Sequence, residues 1–218
     1  MKTPDPLDPR AGPRRRTLAF AGAGGLAGAA ALLLGNAAGS ALAPRYDWVS
    51  DTVSDLAEGP LAWVQDLAMH AYAAGLLASA WGALRRPLDG TRWTVGAWLL
   101  VANAVIVSVI AVRGAYGAGP FGLHMMIVGA LGVVSAAAPL AMERGLSAVS
   151  RLRGRVALGA GLVWAIGGPM FFLVPTGWDG AWERALGLAS AVFVATLSLT
   201  LLEAAGGVSA LRARGVRP

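Results

Sequence analysis

The chain has 218 residues, of which 56% are hydrophobic and only 14% charged, with 30 glycines, no cysteine, two histidines and a formal charge of +6. Its mean hydropathy is +0.60. Soluble domains carry about 25% charged residues, so this composition excludes a protein covered by water. The absence of cysteine excludes disulfides and thiolate chemistry. Two histidines give no basis for a zinc site, so no metal and no cofactor are expected. The positive charge points to membrane topology rather than to nucleic acid, for which the sequence carries no motif.

Six apolar stretches follow one another, each near the roughly twenty residues that a hydrocarbon core of about 30 Å requires at 1.5 Å per residue. They predict an all-α fold: a six-span transmembrane helical bundle with both termini cytoplasmic and a short amphipathic helix in the first outer loop. Residues 1–16 form a basic head that includes Arg14, Arg15 and Arg16. A positive region before an apolar core resembles a signal peptide. Here the apolar run, residues 17–43, is long enough to span and more spans follow, so a retained first helix is expected. Gly24 and Gly28 suit a close helix contact within the chain or with a second copy.

The loop after this span, residues 44–60, places Asp47, Asp51, Asp55 and Glu58 at helical spacing, with Val49, Val53 and Leu56 on another face. It is read as a surface helix closed by Gly59-Pro60. The acidic stripe is either a solvated face or a collector of cations, and it lacks the spacing and central glycine of a calcium loop.

The second span, 61–83, carries Asp66 roughly 8 Å below its outer end and His70 one turn deeper on the same face. The third, 93–112, carries Asn103. The fourth, 120–142, brings in His124 about 6 Å from its outer edge. The fifth, 156–175, contains Gly167-Gly168-Pro169, which predicts a kink at the depth of these polar residues because Pro169 cannot donate to the Ala165 carbonyl. The sixth, 181–204, opens on Glu183-Arg184, expected to cap it, with an ion pair to the acidic loop or a lipid phosphate as partner. A basic tail, 206–218, closes the chain. Trp48, Trp63, Trp178 and Trp182 fall near the outer boundary, and Trp81 and Trp93 near the inner one, as an aromatic belt does.

With the N-terminus inside, cytoplasmic segments hold 15 of the 18 Lys and Arg residues: five in the head, three around 85–92, four in 143–155 and three in the tail. Only Arg45, Arg113 and Arg184 remain outside. That asymmetry is a strong positive-inside signal, and it points to a multi-pass protein of the plasma membrane, a bacterial inner membrane.

The outer-loop motif Tyr46-Asp47 followed by Ser54-Asp55-Leu56, with His124 early in the fourth span and Glu183-Arg184 at the start of the sixth, resembles the bacterial membrane family grouped as domain of unknown function 998. The likeness covers roughly residues 17–205. Members usually carry glycine directly after the leucine, where this chain has Ala57. The resemblance implies a membrane fold and no established reaction, so it transfers no catalytic residue.

A charged side chain deep in lipid costs about 2.5–3.5 kcal/mol on insertion scales, so Asp66 is expected to face protein, water or a partner. Asp66 and His70 either lock helix packing or form an acid–base pair. The expected activity is binding of a lipid or small amphipathic molecule in an outward-facing polar pocket, with Asp66, His70, His124 and Asn103 as ligand-binding residues. Alternatives are a proton-coupled small transporter, an intramembrane acid–base enzyme acting on a lipid or isoprenoid, and a structural role. Expected partners are membrane lipids, with a homo-oligomer as an option.

Overall fold

The structure, a computed structural model, describes residues 11–58, 60–112 and 122–206. Among these residues it is all-α, with six long helices: α1 (Ala11–Leu42), α2 (Ala62–Arg85), α3 (Gly90–Val112), α4 (Leu123–Val149), α5 (Arg151–Phe171) and α6 (Asp179–Ala204). All six are long and apolar enough to cross a membrane. A helix satisfies its backbone polar groups internally, which is what lets such apolar sequence exist in lipid. The outward side chains are correspondingly apolar: Leu67 is 63% exposed and Val133 70%. Buried positions include polar ones, Ser79, Asn103, Ser135, Ser198 and Thr200 among them.

Each helix packs against its neighbour in the chain, and α1 closes the ring against α6, which also touches α2 and α4. Glycine makes the tightest contacts possible. A Cβ on Gly28 would lie 2.8 Å from the Gly75 Cα and 2.9 Å from the Ala71 oxygen, so the small-residue face of α1 meets this chain's own α2. One turn earlier, a Cβ on Gly25 would fall 2.1 Å from Ser198 Oγ and 2.2 Å from Ser79 Oγ. Here α1, α2 and α6 converge, and the two hydroxyls stand 3.4 Å apart.

Contacts pair the start of one helix with the end of the next, so the helices alternate in direction and the ring has two ends. At the basic end Arg86 Nη1 donates to the Thr200 carbonyl at 2.8 Å, Arg14 Nη2 to the Arg85 carbonyl at 3.2 Å, and Arg153 pairs with Glu203. Ser150 alone, in extended backbone, joins α4 to α5. The helices thus continue past the apolar spans into the basic segments. At this end Trp93 departs from the aromatic belt expected of it. It is fully buried, and its Nε1 donates to the Ala83 carbonyl at 2.8 Å, which ties α3 to the end of α2.

The Gly167-Gly168-Pro169 run, from which a kink in the fifth span was expected, lies near the end of its helix. α5 runs unbroken through Gly167-Gly168-Pro169 and ends at Phe171. Pro169 therefore sits in the last turn, where the chain leaves the helix and the Met170 carbonyl accepts from Leu173 and Val174 at 2.9 and 3.0 Å. The helix is displaced toward the basic end, Arg151–Phe171 against the expected 156–175, which leaves Pro169 two residues from its end. A proline does lie in mid-helix elsewhere: Pro139, within α4, leaves the Ser135 carbonyl without its helical donor.

Candidate functional site

At the other end of the ring, residues 43–58 fold over the helix tips. Arg45 turns the chain out of α1 in the left-handed region, at φ 63°. The acidic residues then act as turn-makers. Asp47 Oδ1 accepts from the Val49 and Ser50 amides at 2.8 and 3.4 Å, and Asp51 Oδ2 from the Asp47 amide at 2.8 Å. Asp55 Oδ2 accepts from the Thr52 amide and hydroxyl at 2.7 and 2.9 Å. Side-chain acceptors of this kind compete with helical backbone bonds. The continuous amphipathic helix expected here is accordingly reduced to one 3-10 turn, Ser54–Ala57. Leu56 is its buried residue, packed on Gly39 of α1, while Ser54, Asp55 and Asp47 are exposed.

Glu183 and Arg184 hold this loop down. The guanidinium has five N–H donors, and each finds an acceptor. Nε donates to Asn36 Oδ1 at 3.1 Å. Nη1 donates to the Trp48 and Asp51 carbonyls, both at 3.0 Å. Nη2 donates to Ser40 Oγ at 3.4 Å and to the Tyr46 hydroxyl. The cation also lies over the Tyr46 and Trp48 rings, 5.3 and 4.9 Å from their centroids. Tyr46 passes its own proton on, with the Thr52 carbonyl at 2.6 Å and the Asp51 carbonyl at 3.0 Å.

Glu183 Oε2 accepts from the Val53 amide at 2.7 Å. The Ala181 amide, one of the free donors of the first turn of α6, is taken by the Val49 carbonyl at 2.9 Å. Gly180 allows this approach: a Cβ there would lie 2.1 Å from the Asp51 oxygen. The pair expected to cap α6 thus grips the backbone of the loop, not its carboxylates. Tyr46, Asp47, Leu56, Glu183 and Arg184, scattered in sequence, all serve this one attachment.

Beneath the loop lies a cavity of about 420 Å³, walled by all six helices and roofed by Trp48 and Val53. Ligand pockets commonly measure about 300–1,000 Å³. Its wall is mostly apolar, with Leu32, Met69, Val107, Leu131 and Trp164 contributing. Its polar atoms are few and placed at different heights. Near the roof are Asn36, Glu183 and Arg184; farther down are Tyr72, Asn103, Ser135 and Ser190. Asn103 is 5% exposed. Its Nδ2 donates to Ser135 Oγ at 3.0 Å, and its Oδ1 has no partner among the described residues. Asn36 shows the converse, with Oδ1 taken by Arg184 and Nδ2 without a partner among the described residues. Trp164 Nε1 donates to Ser190 Oγ at 2.7 Å.

Of the residues expected to line a pocket, Asn103 does so. Asp66 and His70 are not in the wall. α2 presents Met69 and Tyr72 to the cavity, and a residue two positions from Tyr72 lies about 200° round a helix of 3.6 residues per turn. His70 is therefore exposed on the outer face, and its Nδ1–H donates to the Asp66 backbone carbonyl at 2.7 Å rather than to the carboxylate. His124 is the second residue of α4, and its side chain lies outside the described residues. Tyr72, Ser135, Trp164 and Ser190 were not anticipated, because a lone polar or aromatic residue on an apolar helix carries no spacing signal. Among the described residues no cluster of His, Asp and Glu is suited to a metal ion.

No curated protein and no solved structure matches the chain. The family model described as "Protein of unknown function (DUF998)" matches residues 26–200, well over half of the sequence, and the chain belongs to that family.

Proposed function

We propose that this integral membrane protein binds a lipid or small amphipathic molecule in the six-helix cavity, in the outer half of the plasma membrane. The observation that carries the reading is the buried Asn103 amide in the wall of a mostly apolar cavity, whose Oδ1 has no partner among the described residues. A buried polar group left unmade costs about 1–3 kcal/mol, which an occupant with a hydrogen-bonding group would recover. The positive-inside count supports an outward-facing roof, and the loop clamped by Glu183 and Arg184 supplies that roof. Asn103 carries the polar contact in this reading; Asp66 and His70 stand outside it.

Native mass spectrometry of the full chain, released from the membrane in which it is expressed, tests the proposal. One small amphipathic molecule per protein should survive release. It should be lost in Ala185→Phe, which fills the cavity from its exposed rim on α6. A protein that emerges empty, or one whose retained molecule is indifferent to Ala185→Phe, would count against the cavity as the binding site.

A further inference from the structure

The ionic state of the lining narrows the class of occupant. Two charged side chains reach the cavity, Glu183 and Arg184, and they are adjacent and opposite in sign. Arg184 resembles an anion site at first sight, but its five N–H donors are already used by Asn36, Ser40, Tyr46, Trp48 and Asp51. A phosphate or carboxylate arriving at the roof would have to take these bonds away from the loop. Glu183 keeps one oxygen on the Val53 amide and offers an anion no donor.

What the cavity does offer is neutral. Among the described residues the Asn36 Nδ2 donor has no partner, and neither has the Asn103 Oδ1 acceptor. The Ser135 carbonyl lacks its helical donor because of Pro139. Asn36 cannot be turned round, since its oxygen is fixed by Arg184. These groups call for a partner that can donate and accept but carries no charge, and a hydroxyl does both. An ionised head would instead be stripped of water beside Glu183 and Arg184, both already engaged with the loop, which is strongly unfavourable.

Resting on the binding role proposed above, we propose that the cavity selects an uncharged, hydroxyl-headed amphipath and discriminates against both anionic and cationic heads on the same chain. The head group is recognised by the Asn103 Oδ1 acceptor and by the Asn36 Nδ2 donor nearer the roof, with the apolar body against Met69, Val107 and Leu131.

Three probes that share one oleoyl chain separate the possibilities: 1-monooleoylglycerol, oleate and oleoylcholine. Each is titrated into delipidated full-length protein in neutral-detergent micelles, with binding read by native mass spectrometry and by the shift in melting temperature. Monooleoylglycerol should bind at least about tenfold more tightly than either charged probe. Asn103→Leu should remove most of that preference while leaving the apolar chain able to bind. Should Asn103→Leu fail to fold, Asn36→Asp serves instead: it keeps the oxygen that Arg184 needs, removes the free donor, and should weaken monooleoylglycerol. Equal or tighter binding of oleate or oleoylcholine overturns the selectivity. Loss of all three probes' binding in Ala185→Phe, whichever head is preferred, upholds the cavity itself. Binding of all three unaffected by that variant sinks the cavity along with the selectivity.

Discussion

Arg184 shows how much one side chain organises at this end of the molecule. Its bonds run to two loop carbonyls, a tyrosine hydroxyl and two side chains of α1, so a compact ammonium cannot replace its planar fork. Arg184→Lys should destabilise the protein by about 3 kcal/mol, given that bonds to a charged group contribute about 1.5–3 kcal/mol each. Thermal melts in detergent measure this, and limited proteolysis should cut first within residues 47–53. A melt unchanged from wild type would mean that the loop is held by something else. Tyr46 gives the same attachment a pH dependence. Burial pushes its phenol above the ordinary value of 10.0, an effect that the Arg184 hydrogen bond partly offsets. The fold favours the protonated phenol, so its contribution is complete below pH 10 and is lost as the pH rises through the raised value. Melting temperature should therefore fall above about pH 10, and the fall should be smaller in Tyr46→Phe. Sequence reading found both residues through their place in the motif. It could not find their partnership, because 138 positions separate them and backbone carbonyls leave no trace in composition.

At the scale of elements, the helices were legible and their ends were not. Apolar length predicts a span, since lipid requires internally satisfied backbone, but it cannot say how far a helix continues into water. Hence α4 and α5 reach the single residue Ser150. The loop after α1 misled for a different reason. Its Asp spacing of four is helical, yet each aspartate sits where it accepts a nearby amide, and local capping wins over a helix this short. The face of α2 was misjudged for want of a reference: only the partners of Met69 and Tyr72 show that Asp66 and His70 lie elsewhere. The close helix contact expected of Gly24 and Gly28, with its partner left open by the sequence, falls on α2 and gives a clean contrast. Gly28→Leu must push α2 away and should cost about 1–3 kcal/mol, the usual range for overpacking. Gly129→Ala in α4, which meets nothing within 4 Å, should change the melting temperature little. Equal effects from the two would contradict the close approach at Gly28.

Across the whole molecule, the apolar exterior, the ring of six helices and the separation of the basic end from the loop end form one arrangement. The cavity follows from it: the ring of six helices leaves space toward the loop end, and the loop closes over that space. Whether the space opens outward depends on the number and direction of the crossings. The chain contains no cysteine, so single replacements report sidedness without background. Ser54→Cys, in the loop, and Arg151→Cys, at the start of α5, are both exposed positions. In intact bacterial cells a membrane-impermeant maleimide should modify the first and spare the second until the cells are opened. Modification of both from the same side would contradict the six-span arrangement, and with it the outward-facing cavity.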